Sequence, residues 1–285
     1  MSDLATPAGT AHLLRAHGIR PRKRFGQHFL VSRTILRHIL DAAALTPGDG
    51  VLEIGAGIGT LTAALAPLVD TVVAVELDRA LLPALRESIA PFPNVRVETG
   101  DVMRLDLAAL VEALPSPRKA VSNLPYNIAS PLIVNLLETA VRLTRLVFTV
   151  QREVAERLVA LPGGKDYGAL SVAVQYRAAA RVVARVPPGA FFPPPEVESA
   201  VIVLEPRAAP PVDVGDEGVF FRVVRAAFAQ RRKTLRNTLA AGLGVPPTVI
   251  EAACHAAGVD PRTRGETLDL TAFAALTRAL NTLRR

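Results

Sequence analysis

Four consecutive residues, Asn123-Leu124-Pro125-Tyr126, combine the groups needed to hold a flat, nitrogen-rich ring by its amine. The exocyclic amine of adenine is a poor nucleophile because its lone pair is delocalised into the ring. Two acceptors, the Asn123 carboxamide oxygen and the Leu124 carbonyl, would take its two hydrogens. They would thereby favour the geometry in which the lone pair points at an electrophile, a stabilisation realised in the transition state. Pro125 stiffens the loop and biases Leu124 toward an extended conformation. Tyr126 offers a face for the base, and stacking of this kind contributes about 1–3 kcal/mol per base. Asn and Pro are also common turn residues, so the tetrapeptide takes its meaning from its surroundings.

A seat for an electrophile stands upstream. The stretch from Val51 to Thr62 reads as a buried strand, a glycine loop and a helix start, and glycines let backbone approach a ligand closely. The dinucleotide fingerprint G-x-G-x-x-G would need glycine at position 60, where Thr60 stands. The pattern present, E-x-G-x-G-x-G through Gly55, Gly57 and Gly59, resembles the loop of S-adenosylmethionine-dependent methyltransferases. Glu76 closes a β-branched strand, Thr71 to Glu76, and lies 21 residues after Gly55. That is the distance at which an acid at the tip of a second strand receives ribose hydroxyls. After a third strand, Val95 to Glu98, Asp101 would accept a hydrogen bond from a cofactor adenine and Val102 would pack on that ring. Gly-Asp is equally an ordinary turn.

These groups need a parallel sheet to bring them together. A fourth strand through Ala120-Val121-Ser122 delivers the tetrapeptide, and Leu146 to Val150 is a fifth. Helices are expected from Arg33 to Ala44 with Ser32 as cap, from Arg79 to about Ala90, from Pro131 to Val141 and from Gln151 to Leu161. Residues 1–20 read as a loose arm or a short helix. Alternating apolar positions in Leu170–Tyr176, Val182–Val186 and Ala200–Leu204 predict the last strands. Between the last two lies a proline-locked loop, Pro188 to Ser199, in which Phe191 or Phe192 would close on the second face of a base held by Tyr126. The loop from Pro162 to Gly168 is glycine-rich but lacks the G-K-[ST] ending of a triphosphate loop. The strand pattern stops after Arg207. Helices then run over Val219–Gln230, Arg232–Ala241, Pro247–Ala257 and Leu270–Leu283, with a cationic junction at Gln230 to Asn237. The expected organisation is α/β, a Rossmann-like sheet domain over residues 1–207 and a smaller all-α domain over 208–285.

Composition narrows the partners. The net charge is +7 over 285 residues, divided as +6 in residues 1–40, −4 in 41–205 and +5 in 206–285. Basic flanks around a mildly acidic middle suit arms that hold a polyanion while the middle does chemistry. Half the residues are hydrophobic, enough for a sizeable core. The single Cys254 excludes an internal disulfide and fits a reducing, cytoplasmic compartment. No apolar run approaches membrane-helix length, residues 1–20 lack a signal-peptide core, and no second histidine stands at metal-ligand spacing from His28.

In this order, the segments closely resemble the KsgA/RsmA family of ribosomal RNA adenine dimethyltransferases. The matching pieces are Lys23 to Leu30, Leu52 to Gly59, Glu76, Gly100-Asp101, Asn123 to Ala129, Pro162 to Gly168, Phe191 to Ser199 and the junction Gln230 to Asn237. The resemblance implies a class I methyltransferase fold. It also implies transfer of two methyl groups to each of two adjacent adenosines near the 3′ end of small-subunit (16S) rRNA, within a pre-ribosomal 30S particle. By the same resemblance a monomer uses S-adenosyl-L-methionine as donor and no metal. His28, Leu30, Gly55, Glu76, Asp101 and Asn123 would contact that donor, with Gly57 and Val102 beside them, while Tyr126 and Phe191 would sandwich the base. Two other readings compete. One is a related methylase of large-subunit rRNA or of DNA, although resistance enzymes commonly carry Asn-Ile-Pro-Tyr where this chain has Leu124. The other is an assembly factor that binds pre-subunits without methylating, which the intact glycine loop and Asn123–Tyr126 oppose.

Overall fold

The computed structural model describes residues 3–22, 26–139 and 141–283. The first part of the Lys23–Leu30 motif, Lys23 to Phe25, lies outside the described residues. In chain order the elements are α1 (Pro7–Ala16), β1 (Phe29–Leu30), α2 (Arg33–Ala43), β2 (Gly50–Ile54), α3 (Thr60–Leu65), β3 (Thr71–Glu76), α4 (Leu82–Ile89), β4 (Val95–Thr99), α5 (Leu107–Glu112), β5 (Arg118–Asn123), α6 (Ala129–Glu138) and β6 (Arg145–Gln151). They continue with α7 (Arg152–Val159), α8 (Ala169–Arg177), β7 (Ala178–Val186), β8 (Phe191–Phe192), β9 (Ser199–Pro206), α9 (Glu217–Phe228), α10 (Leu235–Leu243), α11 (Pro247–Ala256) and α12 (Leu270–Leu283).

The chain divides into two compact units: residues 1–155 with 180–206, and residues 156–179 with 207–285. A cut between residues 207 and 208 therefore misses a piece, because Glu156–Ala179 group with the C-terminal helices.

The first unit is built on a seven-stranded sheet in the order β4-β3-β2-β5-β6-β9-β7. The pairs β3–β4, β2–β3, β2–β5 and β5–β6 are parallel, and β9 runs antiparallel to β6. All five residues of β2 are buried, as are the middle residues of β3, β5 and β6. Parallel strands covered on both faces read as continuous apolar runs, which is why the sequence located them. One face packs Val51, Val72, Val121, Val147 and Val203 with Ile35 and Ile39 of α2 and Leu61 and Leu65 of α3. The Ser32 hydroxyl caps α2 as expected, accepting from the Ile35 N–H. At the strand starts Lys119 Nζ meets Asp49 Oδ2 at 2.7 Å and donates to the Ala44 carbonyl at 2.5 Å, so this buried cation is paired and hydrogen-bonded. Successive strands leave β2 toward β3 on one side and β5 toward β6 on the other. The C-terminal ends of β2 and β5 thus flank the switch point where open α/β sheets bind ligands.

The expectations for α6 and α8 need correction. The helix expected to begin at Pro131 starts at Ala129, making Pro131 its third residue, where the N–H still has no intrahelical acceptor to lose. The stretch Leu170–Tyr176, read as a strand, is the helix α8. Its Val172 and Tyr176, four residues apart, both enter the core of the second unit with Phe220, Val224 and Phe273. Packing on helices overrides the apparent alternation.

The second unit surrounds that core with α9 to α12, adding Leu235, Leu239, Ile250, Leu276 and Leu280. Asp216 caps α9 by accepting from the Val219 N–H. Tyr167 is buried, donates its hydroxyl to the Leu268 carbonyl at 2.9 Å and meets Phe228 edge-on, which ties the Pro162–Gly168 loop to the helices. The helix expected from Arg232 begins only at Leu235, so Arg232 and Lys233 stand exposed in the turn between α9 and α10. Arg231 and Arg236 are instead paired with Glu266 at 3.4 Å and Glu251 at 2.5 Å.

Candidate active site

The glycine loop follows from β2. Gly55, Gly57 and Gly59 all have positive φ, at 76°, 61° and 88°. A Cβ on Gly55 would stand 3.1 Å from the Pro125 ring, and one on Gly57 would stand 3.3 Å from the Phe29 ring. Conformation and space both require glycine here, and the same contacts place the loop against the tetrapeptide at the end of β5. A single cleft of the first unit is lined by both segments, by Gly26 to Leu30, by Val75 to Leu77 and by Gly100 to Met103.

Asn123 is the last residue of β5. Its Nδ2 donates to the His28 carbonyl at 3.0 Å, while its buried Oδ1 has no hydrogen-bond partner. A carboxamide held by its nitrogen presents its oxygen as a free acceptor, and a buried polar atom left unsatisfied marks a place where a ligand is expected. Leu124 is buried, and its N–H is taken by the Thr149 carbonyl at 3.1 Å. The Tyr126 hydroxyl is fixed by the Ser199 hydroxyl at 2.7 Å, and burial pushes the phenol pKa up against the smaller opposing effect of that bond. The His28 ring stacks on Tyr126, with centroids 5.6 Å apart and planes 24° apart. His28 Nδ1 lies 2.7 Å from the Pro193 carbonyl, which only accepts, so that nitrogen carries the hydrogen.

At the other end of the cleft Glu76 is 6% exposed. Its Oε2 accepts from the Gly57 N–H and its Oε1 from the Asp78 N–H, both at 2.7 Å. Burial raises its pKa, the backbone donors at Asp78, Gly57 and Leu77 oppose this, and the Asp78 charge adds a smaller upward push. A carboxylate offers about four lone-pair sites in all, so acceptor capacity remains for a ligand hydroxyl. Asp101 and Val102 line the same end, with Asp101 Oδ1 accepting from the Met103 N–H at 3.0 Å. His28, Leu30, Gly55, Gly57, Glu76, Asp101, Val102 and Asn123 are thus brought to one cleft together with Leu124, Pro125 and Tyr126.

Phe191 is not. It pairs with Leu30 across the β1–β8 ribbon and is 3% exposed, in the same cluster as Leu30, Ile35 and Val201. Phe192 faces the other way and packs with the cluster containing Leu13, Leu14 and Phe29. Neither phenylalanine lines the cleft, and the ring that meets Tyr126 is His28. The pairing of two distant dipeptides turned these aromatics inward, and no local pattern announces such a pairing.

Two further lining residues, to which the motifs assign no role, bear on the chemistry. Leu77, next to Glu76, is 48% exposed and offers an apolar surface to a ring at that end. Glu53 opens the E-x-G-x-G-x-G pattern, is 1% exposed, and has Oε2 without a partner. Burial lifts its pKa to about 8; the nearby Thr62 hydroxyl offsets this in part and the Glu76 charge adds to it. The Thr62 hydroxyl itself has no hydrogen bond of good geometry. An acid made costly to ionise beside a cleft is poised to receive a cationic ligand. The orphaned Glu53 Oε2 and Asn123 Oδ1, with Gly55 and Gly57 leaving the backbone uncovered between them, fit a sulfonium-bearing nucleoside.

Comparison with known proteins agrees. The profile of the family described as "Ribosomal RNA adenine dimethylase" matches residues 18–280. The Ribosomal RNA small subunit methyltransferase A of Geobacillus kaustophilus is 48% identical over 284 residues, 98% of this chain and 97% of its own length. Among solved structures, a dimethyladenosine transferase from Plasmodium falciparum is similar with a TM-score of 0.74 and 26% identity, over 90% of this chain and 98% of that one. The 23S rRNA methyltransferase ErmE follows with a TM-score of 0.65 and 27% identity, over 88% of this chain and 99% of its own.

Proposed function

This chain belongs to the ribosomal RNA adenine dimethylase family, and on that premise we propose that it methylates twice the N6 amine of each of two adjacent adenosines near the 3′ end of small-subunit (16S) rRNA. The same reading makes it a cytoplasmic monomer that acts on the RNA within a pre-ribosomal 30S particle. The observation that carries it is the Asn123 carboxamide, anchored through Nδ2 and free at a buried Oδ1, beside the glycine loop.

S-Adenosylmethionine, when bound, supplies an electrophilic methyl carbon. Gly55 and Gly57 allow close approach of the backbone, Glu76 takes ribose hydroxyls, and Asp101, Val102 and Leu77 receive the adenine of the donor. Asn123 Oδ1 and the Leu124 carbonyl accept the two hydrogens of the target amine and orient its lone pair. Transfer of the methyl carbon from the donor's sulfur to that nitrogen would leave a surplus N–H proton, which would pass to water. Methylation makes that proton acidic, so no strong base is needed. In the second round the amine has one hydrogen left and engages one acceptor, which a pocket relying on paired acceptors tolerates. Tyr126 stacks on a base taken out of its helix. Phe191 supports this arrangement from below by backing Leu30, which lines the cleft. The exposed Arg232 and Lys233 of the helical unit supply phosphate contacts.

Incubation with labelled S-adenosylmethionine and unmethylated small or large subunits tests the proposal. Label is expected in the small subunit alone, on two adjacent adenosines. Label in large subunits, or in neither, would refute it.

A further inference from the structure

The N-terminal segment that walls the cleft is fastened to a carboxylate for which the methyl transfer has no use. Asp78 is 5% exposed. Its Oδ1 accepts from Arg22 Nη1 and from the Ala80 N–H, both at 3.1 Å, and its Oδ2 accepts from Gln27 Nε2 at 2.8 Å. Gln27 Oε1 in turn accepts from the Arg22 N–H at 2.7 Å, closing a knot of three residues. The N–H of Asp78 itself donates to Glu76 Oε1. Gln27 and His28 line the cleft, and the His28 carbonyl is gripped by Asn123. This wall is therefore held at one end by the residue that presents the target amine. At its other end it is held by a residue bonded to the acid of the ribose end.

The two fastenings depend on each other. With the segment lifted, Asp78 would keep only the Ala80 N–H and would lose its cation, and a poorly hydrated carboxylate without its donors is costly. With Asp78 displaced, Glu76 would lose the donor that fixes Oε1. We infer that Asp78 is a positioning residue that couples seating of the Arg22 and Gln27 segment to occupancy of the ribose end of the cleft. The inference rests on that cleft being the S-adenosylmethionine site. Binding linkage then requires reciprocity: the factor by which the seated segment tightens the donor is the factor by which the donor tightens the segment.

The test measures S-adenosylmethionine binding by calorimetry and trypsin cleavage at Arg22 with and without S-adenosylmethionine. In the wild-type protein the donor should slow cleavage at Arg22 about tenfold. Asp78→Asn sets an amide donor against Gln27 Nε2; it should weaken donor binding about tenfold and remove the protection. Gln27→Ala, which leaves the Ala80 cap untouched, should do the same and covers the case in which Asp78→Asn folds poorly. The double variant Asp78→Asn with Gln27→Glu exchanges donor and acceptor across the same contact and should restore both readouts, as a merely structural role would not require. Wild-type affinity and protection in Gln27→Ala, or no rescue in the double variant, would overturn the coupling while leaving the cleft assignment standing. A wild-type protein that binds no S-adenosylmethionine would overturn both.

Discussion

The Nδ2 of Asn123 donates to the carbonyl oxygen of His28 at 3.0 Å, and this bond decides which end of the carboxamide faces the cleft. A strand end on the sheet and a segment nearly a hundred residues earlier in the chain together define one acceptor.

Asn123→Ala should lower turnover by about 100-fold or more, the scale at which a transition-state hydrogen-bonding group is missed. Small-subunit binding should change little, since the phosphate contacts proposed for Arg232 and Lys233 lie elsewhere. Asn123→Asp keeps an oxygen in place but sets a carboxylate against the His28 carbonyl, so it should fail as well. Steady-state methylation beside a subunit-binding assay measures this; near-normal turnover in either variant would remove Asn123 from its role.

For Tyr126 the ring and the hydroxyl have separable duties. Tyr126→Phe retains the ring face and loses the bond to Ser199, and should cost a few-fold in kcat/KM. Tyr126→Ala loses the face as well and should cost about 5- to 150-fold, matching the 1–3 kcal/mol of one stacked base. Equal losses in the two variants would mean that the hydroxyl, and not the stack, is what counts.

Glu53 makes the stability of the donor-free protein depend on pH. Its pKa is raised from 4.5 in the unfolded chain to about 8 in the folded protein. Below about pH 4.5 both states hold the proton and no penalty exists. Between about 4.5 and 8 only the unfolded state ionises, so this group erodes stability as pH rises, by up to roughly 1.4 kcal/mol per pH unit. Glu53→Gln should therefore gain on the wild type between pH 5 and pH 8 in urea unfolding. A stability difference that stays constant over that range would show that the carboxyl is not held neutral.

Arg232 and Lys233 stand exposed in the turn before α10. If they neutralise RNA phosphates, replacing either with Ala should reduce the slope of log affinity against log salt by about one contact. An unchanged slope in filter-binding titrations would place the RNA on another surface.

Much of this architecture is legible without coordinates, for identifiable reasons. β2, β3, β5 and β6 are buried through their middles, so short apolar stretches such as Val51-Leu52, Val72 to Val75, Ala120-Val121 and Leu146 to Phe148 fill them, and Gly55, Glu76 and Asn123 mark their ends by chemistry unsuited to a core. What escaped depends on distant parts of the chain. Leu170, Val172, Val174 and Tyr176 alternate like a strand, and only the helices that receive Val172 and Tyr176 make them a helix. Phe191 and Phe192 advertise an aromatic wall, yet pairing with Phe29 and Leu30 buries Phe191 and packs the half-buried Phe192 against another cluster. The motif displays Glu53, but its seclusion from water, and hence its altered acidity, belongs to the packed sheet.

Residues 156–179 leave the sheet domain, join the helices and return, so the second unit is made from two separate stretches of chain. A truncation at residue 207, natural as it looks on paper, would strip the cover from Val172 and Tyr176 and leave the hydroxyl of Tyr167 without its acceptor on Leu268. Such a fragment should be sticky and prone to precipitate, whereas one that also bridges Ala155 to Ala180 with a short linker should stay in solution.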